Sequence, residues 1–247
     1  MRLTIVGCGD AFGSGGRNST CFWLETNETM LAVDFGASAM PALKSLKLDP
    51  GRLDAVVLSH LHGDHFGGLP FLLVDGQFLS RRDRPLLIAG PPGTRARLDA
   101  LLEVVFPKST SSRWKYPWSV QEIEVGPPSK VLGHDIITTE VIHQSGAPST
   151  ALRMTIDGKV FAYSGDTEWT DALLPIAKDA DLFICECYNF EGAITGHLNW
   201  QTLKEKLPAL AAKRVMLTHM NPTMLARLDE VKAAGVRIAE DGLVLQF

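Results

Sequence analysis

The sequence predicts an α+β protein in which two β-sheets carry helices on their outer faces. Three observations lead there. Short apolar runs, often rich in Val and Ile, recur along the chain, and longer amphipathic segments separate some of them. Strands in meander come first, strand–helix alternation starts around Asp34, and the same mixture returns after Gly133. Each sheet and helix has an apolar side to bury, so two sheets back to back with helices outside satisfy this order. With 247 residues, 45% hydrophobic and 21% charged, the chain is long enough for one large domain or two small ones, with ample core to bury.

Taken in order, the runs at 3–6, 21–24 and 30–33 read as strands, and 37–46 reads as a helix. A buried strand at 55–58 and another at 86–89 precede a helix at 94–105. The segment 106–128, with Pro107, Pro117, Pro127 and Pro128, is the least regular and reads as a long ordered loop. Its Trp114, Tyr116 and Trp118 either line a substrate pocket or anchor a strand edge. Strands follow at 136–142, 152–156 and 160–163, then a helix at 170–178 and a strand at 182–185. A helix at 199–212, a strand at 215–217, a helix at 223–234 and a strand at 243–245 complete the chain.

Composition excludes several classes. No apolar segment approaches the roughly 20 residues needed to cross a bilayer. The opening Met1-Arg2-Leu3-Thr4-Ile5-Val6-Gly7 reaches a glycine-rich turn too soon for a signal peptide, so a cytoplasmic protein without a membrane partner is expected. Cys8 and Cys21 lie far from Cys185 and Cys187, the latter two expected on opposite faces of a strand, and all four are expected to be buried free thiols. A net charge of -4 argues against general nucleic-acid binding. Within it, Arg81, Arg82, Arg84, Arg95, Arg97, Lys108, Arg113 and Lys115 outnumber Asp83, Asp99 and Glu103 to give a local +5. Such a lobe either steers a phosphate-bearing substrate or is a solvated helix face and loop.

The chemistry is concentrated in Ser59-His60-Leu61-His62-Gly63-Asp64-His65, directly after the apolar strand Ala55-Val56-Val57-Leu58. Neutral imidazoles and a carboxylate on one short loop can converge on a transition ion. Their offsets send successive side chains to different sides of a turn, so one ion cannot easily use all four, whereas two adjacent ions sharing a water can. Three further donors end apolar strands: His143 after Glu140-Val141-Ile142, Asp166 in Ser164-Gly165-Asp166, and His219 after Val215-Met216-Leu217-Thr218. Several strand ends of this kind can meet around one cleft. The pair Gly7 and Gly9 with Asp34 downstream is not a dinucleotide fingerprint: the third glycine falls at Gly13, and Ser14-Gly15-Gly16 continues a loop where a helix is required.

The pattern His60-x-His62-x-Asp64-His65, then His143, Asp166 and His219, resembles the metallo-β-lactamase superfamily of hydrolases over essentially the whole chain. The resemblance implies the four-layer αββα sandwich of the metallo-β-lactamase fold, as a single domain over 1–247. It implies that His60, His62 and His143 hold one divalent metal, that Asp64, His65 and His219 hold a second, and that Asp166 bridges both. Asp34, in Val33-Asp34-Phe35-Gly36, matches a supporting acid that orients a ligand from behind. Leu3-Thr4-Ile5-Val6-Gly7-Cys8-Gly9-Asp10 and Gly90-Pro91-Pro92-Gly93-Thr94 resemble the ribonuclease Z-like branch. So do Cys185-Glu186-Cys187-Tyr188 and Gly196-His197-Leu198-Asn199. By that likeness Glu186 is a supporting acid and His197 lies near the leaving group, where an imidazole suits proton donation.

The resemblance has one break. Ribonuclease Z enzymes carry a long arm for transfer RNA between the lone His and the bridging Asp, and here Asp166 follows His143 by only 23 positions. A small-molecule or nucleotide substrate is therefore expected and a large folded RNA is not, with a homodimer as the assembly common in that branch. The expected reaction is phosphodiester hydrolysis by a water activated between two ions, zinc first and manganese or iron second. Asp64 would orient the water or take its proton, and His197 would protonate the leaving group. Lactone or thiolester hydrolysis on the same metals stays open as an alternative, as does a metal-containing ligand-binding protein.

Overall fold

Alternation along the strands sorts the buried apolar side chains into separate cores. In a computed structural model describing residues 1–247, β1 (Arg2–Gly7), β2 (Cys21–Glu25), β3 (Met30–Val33) and α1 (Ala39–Ser45) come first. β4 (Ala55–Val57), α2 (Gly63–Phe66), α3 (Leu69–Phe78), β5 (Leu86–Gly90), α4 (Thr94–Val105) and β6 (Trp118–Glu122) follow. Next are β7 (Ser129–Val131), β8 (His134–Glu140), β9 (Thr150–Ile156), β10 (Lys159–Tyr163), α5 (Leu173–Ala177) and β11 (Leu182–Glu186). α6 (Trp200–Leu210), β12 (Val215–Thr218), α7 (Pro222–Leu225), α8 (Leu228–Lys232), β13 (Arg237–Ile238) and β14 (Val244–Gln246) end the chain.

One sheet has the order β14-β1-β2-β3-β4-β5-β6 and the other β13-β12-β11-β10-β9-β8-β7. Phe22, Leu24, Leu31, Val33 and Val57 of the first meet Leu152, Met154, Phe161, Tyr163 and Ile184 of the second in an inner core. Phe22 and Tyr163 touch edge to face there, their ring centroids 5.2 Å apart. The intervening residues face outward: Trp23, Ala32 and Val56 pack with Leu43, Leu73 and Leu98 of α1, α3 and α4. On the other side Ala162, Phe183 and Leu217 pack with Ile176, Leu203 and Val231 of α5, α6 and α8. Period-two alternation thus builds helix, sheet, sheet and helix layers, the expected αββα sandwich. No helix is long and apolar enough to cross a membrane.

Several expectations are corrected in detail. Cys185 and Cys187 share one core instead of facing opposite ways, because residues two apart on an extended chain lie on the same side. The stretch read as one helix at 223–234 is two short ones, α7 and α8. The segment 106–128 holds β6, which pairs in parallel with β5. Trp114 packs edge-on against Tyr116 and Trp118, so these aromatics anchor that edge. Part of the basic segment is committed to structure. Arg82 donates to the carbonyls of Gly51, Leu53, Arg84 and Pro85, and Arg84 pairs with Asp54. Arg95 pairs with Asp99 and covers the face of Trp118.

Topology positions the site. β3, β4 and β5 run parallel, as do β10, β11 and β12. Their carboxyl ends therefore open at common edges, where Glu186 ends β11 and Asp34, the 59–65 loop, Asp166 and His219 follow β3, β4, β10 and β12.

Candidate metal centre

The 34–36 turn and the histidine loop approach as closely as backbone allows. Asp34 has φ 56°, a left-handed conformation that an aspartate tolerates better than most residues. A Cβ on Gly36 would stand 2.1 Å from the Asp64 carbonyl oxygen, so only glycine fits there. Phe35 N–H donates to the His65 carbonyl at 2.6 Å, tying turn to loop.

Asp34 is fully buried and uses both carboxylate oxygens. Oδ1 accepts the Ser59 N–H at 2.7 Å, while Oδ2 accepts the Ser59 hydroxyl and His65 Nδ1–H, each at 2.7 Å. These bonds fix ring tautomers. The Ser59 hydroxyl gives its proton to Asp34, so it accepts at 3.0 Å from His60 Nδ1–H, which leaves the Nε2 lone pair of His60 inward. His65 Nε2 is freed in the same way. His143 Nδ1–H donates to the Gly196 carbonyl at 2.7 Å, and its Nε2 faces His62 Nδ1 at 2.9 Å.

Two groups of donors result. Single donor atoms of His60, His62 and His143 lie within 4.8 Å of one another, and so do those of Asp64, His65, Asp166 and His219. Asp166 Oδ2 stands between the groups, 3.2 Å from His65 Nε2, 3.1 Å from His219 Nε2, 3.8 Å from His60 Nε2 and 4.0 Å from His143 Nε2. His60 Nε2, His65 Nε2 and Asp166 Oδ1 are buried without a hydrogen-bond partner. Leaving a buried polar atom unpaired costs about 1–3 kcal/mol, so three together argue for a ligand the polypeptide does not supply. Lone pairs from nitrogen and carboxylate converging on two points fit divalent transition cations.

The electrostatics agree. Burial pulls the proton affinity of His60, His143 and His219 below that of a free imidazole, which keeps them neutral donors. Burial also opposes charge on His65, but Asp166, Asp64 and Asp34 around it outweigh burial and raise its proton affinity. A cation at Nε2 answers the same concentrated negative field. Burial would raise Asp166 and Asp64, yet His219 and His65 hold the first, and His65 the second, well below the usual carboxylate range.

Beside the donors lies a cavity of about 330 Å³ lined by His62, Asp64, His143, Asp166, His197 and His219, with Phe12 and Tyr188 at its margin. The His197 ring lies against both Tyr188, at 4.6 Å, and His219, at 5.4 Å, which are themselves 6.0 Å apart. Its Nδ1–H donates to Glu186 Oε1 at 3.1 Å, which leaves Nε2 as the nitrogen with a free lone pair in the neutral ring. Burial pushes Glu186 up to about 7, opposed by the His197 bond. Burial lowers His197, but the Glu186 carboxylate prevails and raises it.

The structure therefore brings together the candidate metal-ligating and catalytic residues His60, His62, Asp64, His65, His143, Asp166, His197 and His219, with Asp34 and Glu186 behind them. Sequence reasoning missed Ser59, whose position next to the motif was its only signal, and Glu168, which accepts the Gly196 N–H at 2.8 Å and so holds the peptide that holds His143. It also missed Arg97, which donates to the carbonyls of Leu61 and Ser145 and joins the two histidine-bearing loops.

Fold and site define a metal-binding hydrolase of the metallo-β-lactamase superfamily, in its ribonuclease Z-like branch. Within it, the chain belongs to the family described as the anti-Pycsar protein Apyc1, whose family model matches residues 1–242. It is 29% identical to the "Probable metallo-hydrolase YhfI" of Bacillus subtilis, over 99% of each chain. The crystal structure of YhfI superposes with a TM-score of 0.80, 22% sequence identity and coverage of 99% of both chains. The ribonuclease Z of Bacillus velezensis is 25% identical over 90% of this chain and 88% of its own. Zinc-bound PqqB from Methylobacterium extorquens has the same fold, with a TM-score of 0.80 at 18% identity and full coverage of both chains.

Proposed function

We propose that the chain is a single-domain phosphodiesterase for a small phosphodiester or nucleotide, acting in the cytoplasm, with two zinc ions in its cleft. In this reading His60, His62 and His143 hold one ion, Asp64, His65 and His219 hold the other, and Asp166 reaches both. When bound, such ions supply Lewis acidity, lowering the pKa of a shared water toward neutrality and offsetting charge on a phosphoryl oxygen.

The residues of the chain do the rest. Asp34, Ser59 and Gly196 hold the rings so that their lone pairs converge before any ion arrives. Asp64, at the cavity wall, orients the attacking water, whose proton passes to solvent. His197 donates a proton from Nε2 to the departing oxygen, and Glu186, hydrogen-bonded at Nδ1, keeps the ring protonated and aimed. Contact with both Tyr188 and His219 limits rotation of the His197 ring.

The observation that carries the proposal is the His197–Glu186 pair beside the donors. An alkoxide leaves phosphorus poorly without a proton, whereas lactone and thiolester hydrolysis on the same metals has less need of that pair. Substrate size follows from the hairpin of β9 and β10, which fills the interval between His143 and Asp166 where a transfer-RNA arm would have to emerge. A homodimer accords with the branch.

The test pairs zinc quantitation with a substrate panel. A diester with an alkoxide leaving group, bis-p-nitrophenyl phosphate, a lactone and a thiolester are compared in the wild type and in His197→Ala. The expected result is phosphodiester turnover, with His197→Ala losing about 10²–10⁴-fold on the alkoxide diester and far less on the p-nitrophenyl diester, whose leaving group needs no proton. Turnover of lactone or thiolester alone, or equal losses on both diesters, would refute it.

A further inference from the structure

Arg97 is used differently from its neighbours in the basic segment. Arg84 and Arg95 pair with carboxylates, whereas Arg97 gives the two N–H groups of Nη1 to main-chain carbonyls, Leu61 at 3.2 Å and Ser145 at 2.8 Å. Those carbonyls come from opposite sheets: Leu61 lies between β4 and α2, and Ser145 lies between β8 and β9. The turn Gly90-Pro91-Pro92-Gly93-Thr94 aims the guanidinium at them. Gly93 takes φ 94°, the buried Thr94 donates its hydroxyl to the Pro91 carbonyl at 2.6 Å, and Arg97 N–H meets the Gly93 carbonyl at 3.1 Å. A Cβ on Gly146 would stand 2.7 Å from Arg97 Nη2, so glycine leaves the room that the guanidinium occupies.

Two ties therefore join the loops. At their bases Thr150 donates its N–H at 3.0 Å and its hydroxyl at 2.7 Å to the Ser59 carbonyl, next to His60. Further out, Arg97 holds the peptide that enters His62 and the chain two residues past His143. The rings of His60, His65 and His143 have Nδ1 fixed by Ser59, Asp34 and Gly196, but the His62 ring has only the His143 ring as hydrogen-bond partner. The place of His62 is thus set by its backbone. We infer that Arg97 is a positioning residue that sets the spacing of His62 and His143, so that the donor group of His60, His62 and His143 depends on it and the group of Asp64, His65, Asp166 and His219 does not. What the donors hold rests on the two-zinc reading, while the clamp rests on these hydrogen bonds.

Arg97→Met keeps the apolar stem and removes the donors. In the metal-free protein, amide hydrogen exchange should quicken over residues 61–63 and 143–147. Calorimetric zinc titration then compares two backgrounds: His219→Ala, which leaves the group of His60, His62 and His143, and His143→Ala, which leaves the other group. Adding Arg97→Met should weaken zinc binding about 10–100-fold in the first background and not at all in the second. Arg97→Lys should recover most of the loss, because both bonds leave one nitrogen and an ammonium has donors for two carbonyls. Unchanged exchange over both segments, equal losses in the two backgrounds, or no loss in either would overturn the assignment. A wild type that takes up no zinc would sink the metal reading, and exchange alone would then decide the role of Arg97.

Discussion

Replacing Asp34 by asparagine tests whether the turn behind the histidine loop sets the donor state of the site. The alanine variant is uninformative. It would orphan three buried donors, Ser59 N–H, Ser59 O–H and His65 Nδ1–H, at about 1–3 kcal/mol each. Alanine at φ 56° adds about 1–2 kcal/mol. The sum rivals the roughly 5–15 kcal/mol that holds a domain folded. Asparagine tolerates the left-handed backbone and its carbonyl keeps the Ser59 N–H, but its amide then replaces Oδ2. The Ser59 hydroxyl can turn to accept from that amide. His65 then either loses its Nδ1 partner or moves its proton to Nε2, where the lone pair is needed. Trading two charge-assisted bonds for neutral ones costs about 1–3 kcal/mol of stability. Loss of a supporting hydrogen bond on a metal ligand costs about 10–100-fold in affinity. Zinc retention against a graded series of chelators, read alongside thermal unfolding, measures both. Unchanged zinc retention in a folded Asp34→Asn protein would refute the claim that Asp34 fixes the His65 tautomer.

Four further outcomes are expected. Gly36→Ala should destabilise the protein by about 2 kcal/mol or more in urea unfolding and loosen metal binding, since its Cβ meets the Asp64 carbonyl and Ser19. Gly63→Ala, with nothing within 4 Å of its Cβ, should stay within about 0.5 kcal/mol of the parent in the same assay. Asp181 is 7% exposed, and burial would raise it, but the Val160 amide and Lys213 prevail and depress its pKa. A depressed carboxyl contributes stability above its unfolded pKa near 3.9 and sheds it as pH falls through the folded value. The stability deficit of Asp181→Asn should therefore be full at neutral pH and shrink on acidification below about pH 4, as denaturation at several pH values would show. The four cysteines are buried and burial pushes their thiols upward, so a disulfide reagent at mildly alkaline pH should label none in the native protein and four after unfolding.

Much of this was legible in the sequence because polar donors directly following apolar runs mark strand ends, and strand ends meet. The helix 94–105 was legible to the residue, since its buried Leu98 and Leu102 lie one turn apart. α3 was not, because it is apolar nearly all round and contains Pro70 and Gly76, which mask helical periodicity. That glycine lets the Tyr116 ring lie against the helix and donate to the Leu73 carbonyl at 2.9 Å, a contact no local pattern announces. β6 was hidden because it is an edge strand whose side chains are mostly half exposed, between proline-rich stretches. Around the site, the backbone carbonyls of Gly196, Leu61 and Ser145 do part of the positioning. A carbonyl carries no sequence signature.

The donors divide by origin: His60, His62, Asp64 and His65 follow a strand of the first sheet, and His143, Asp166 and His219 follow strands of the second. Any cation gripped by both sets is also a rivet between the two halves of the sandwich. Binding energy spent on the ion is then cohesion energy for the whole protein. Removing such a cation with a chelator should therefore loosen the seam and lower the unfolding temperature of the whole sandwich.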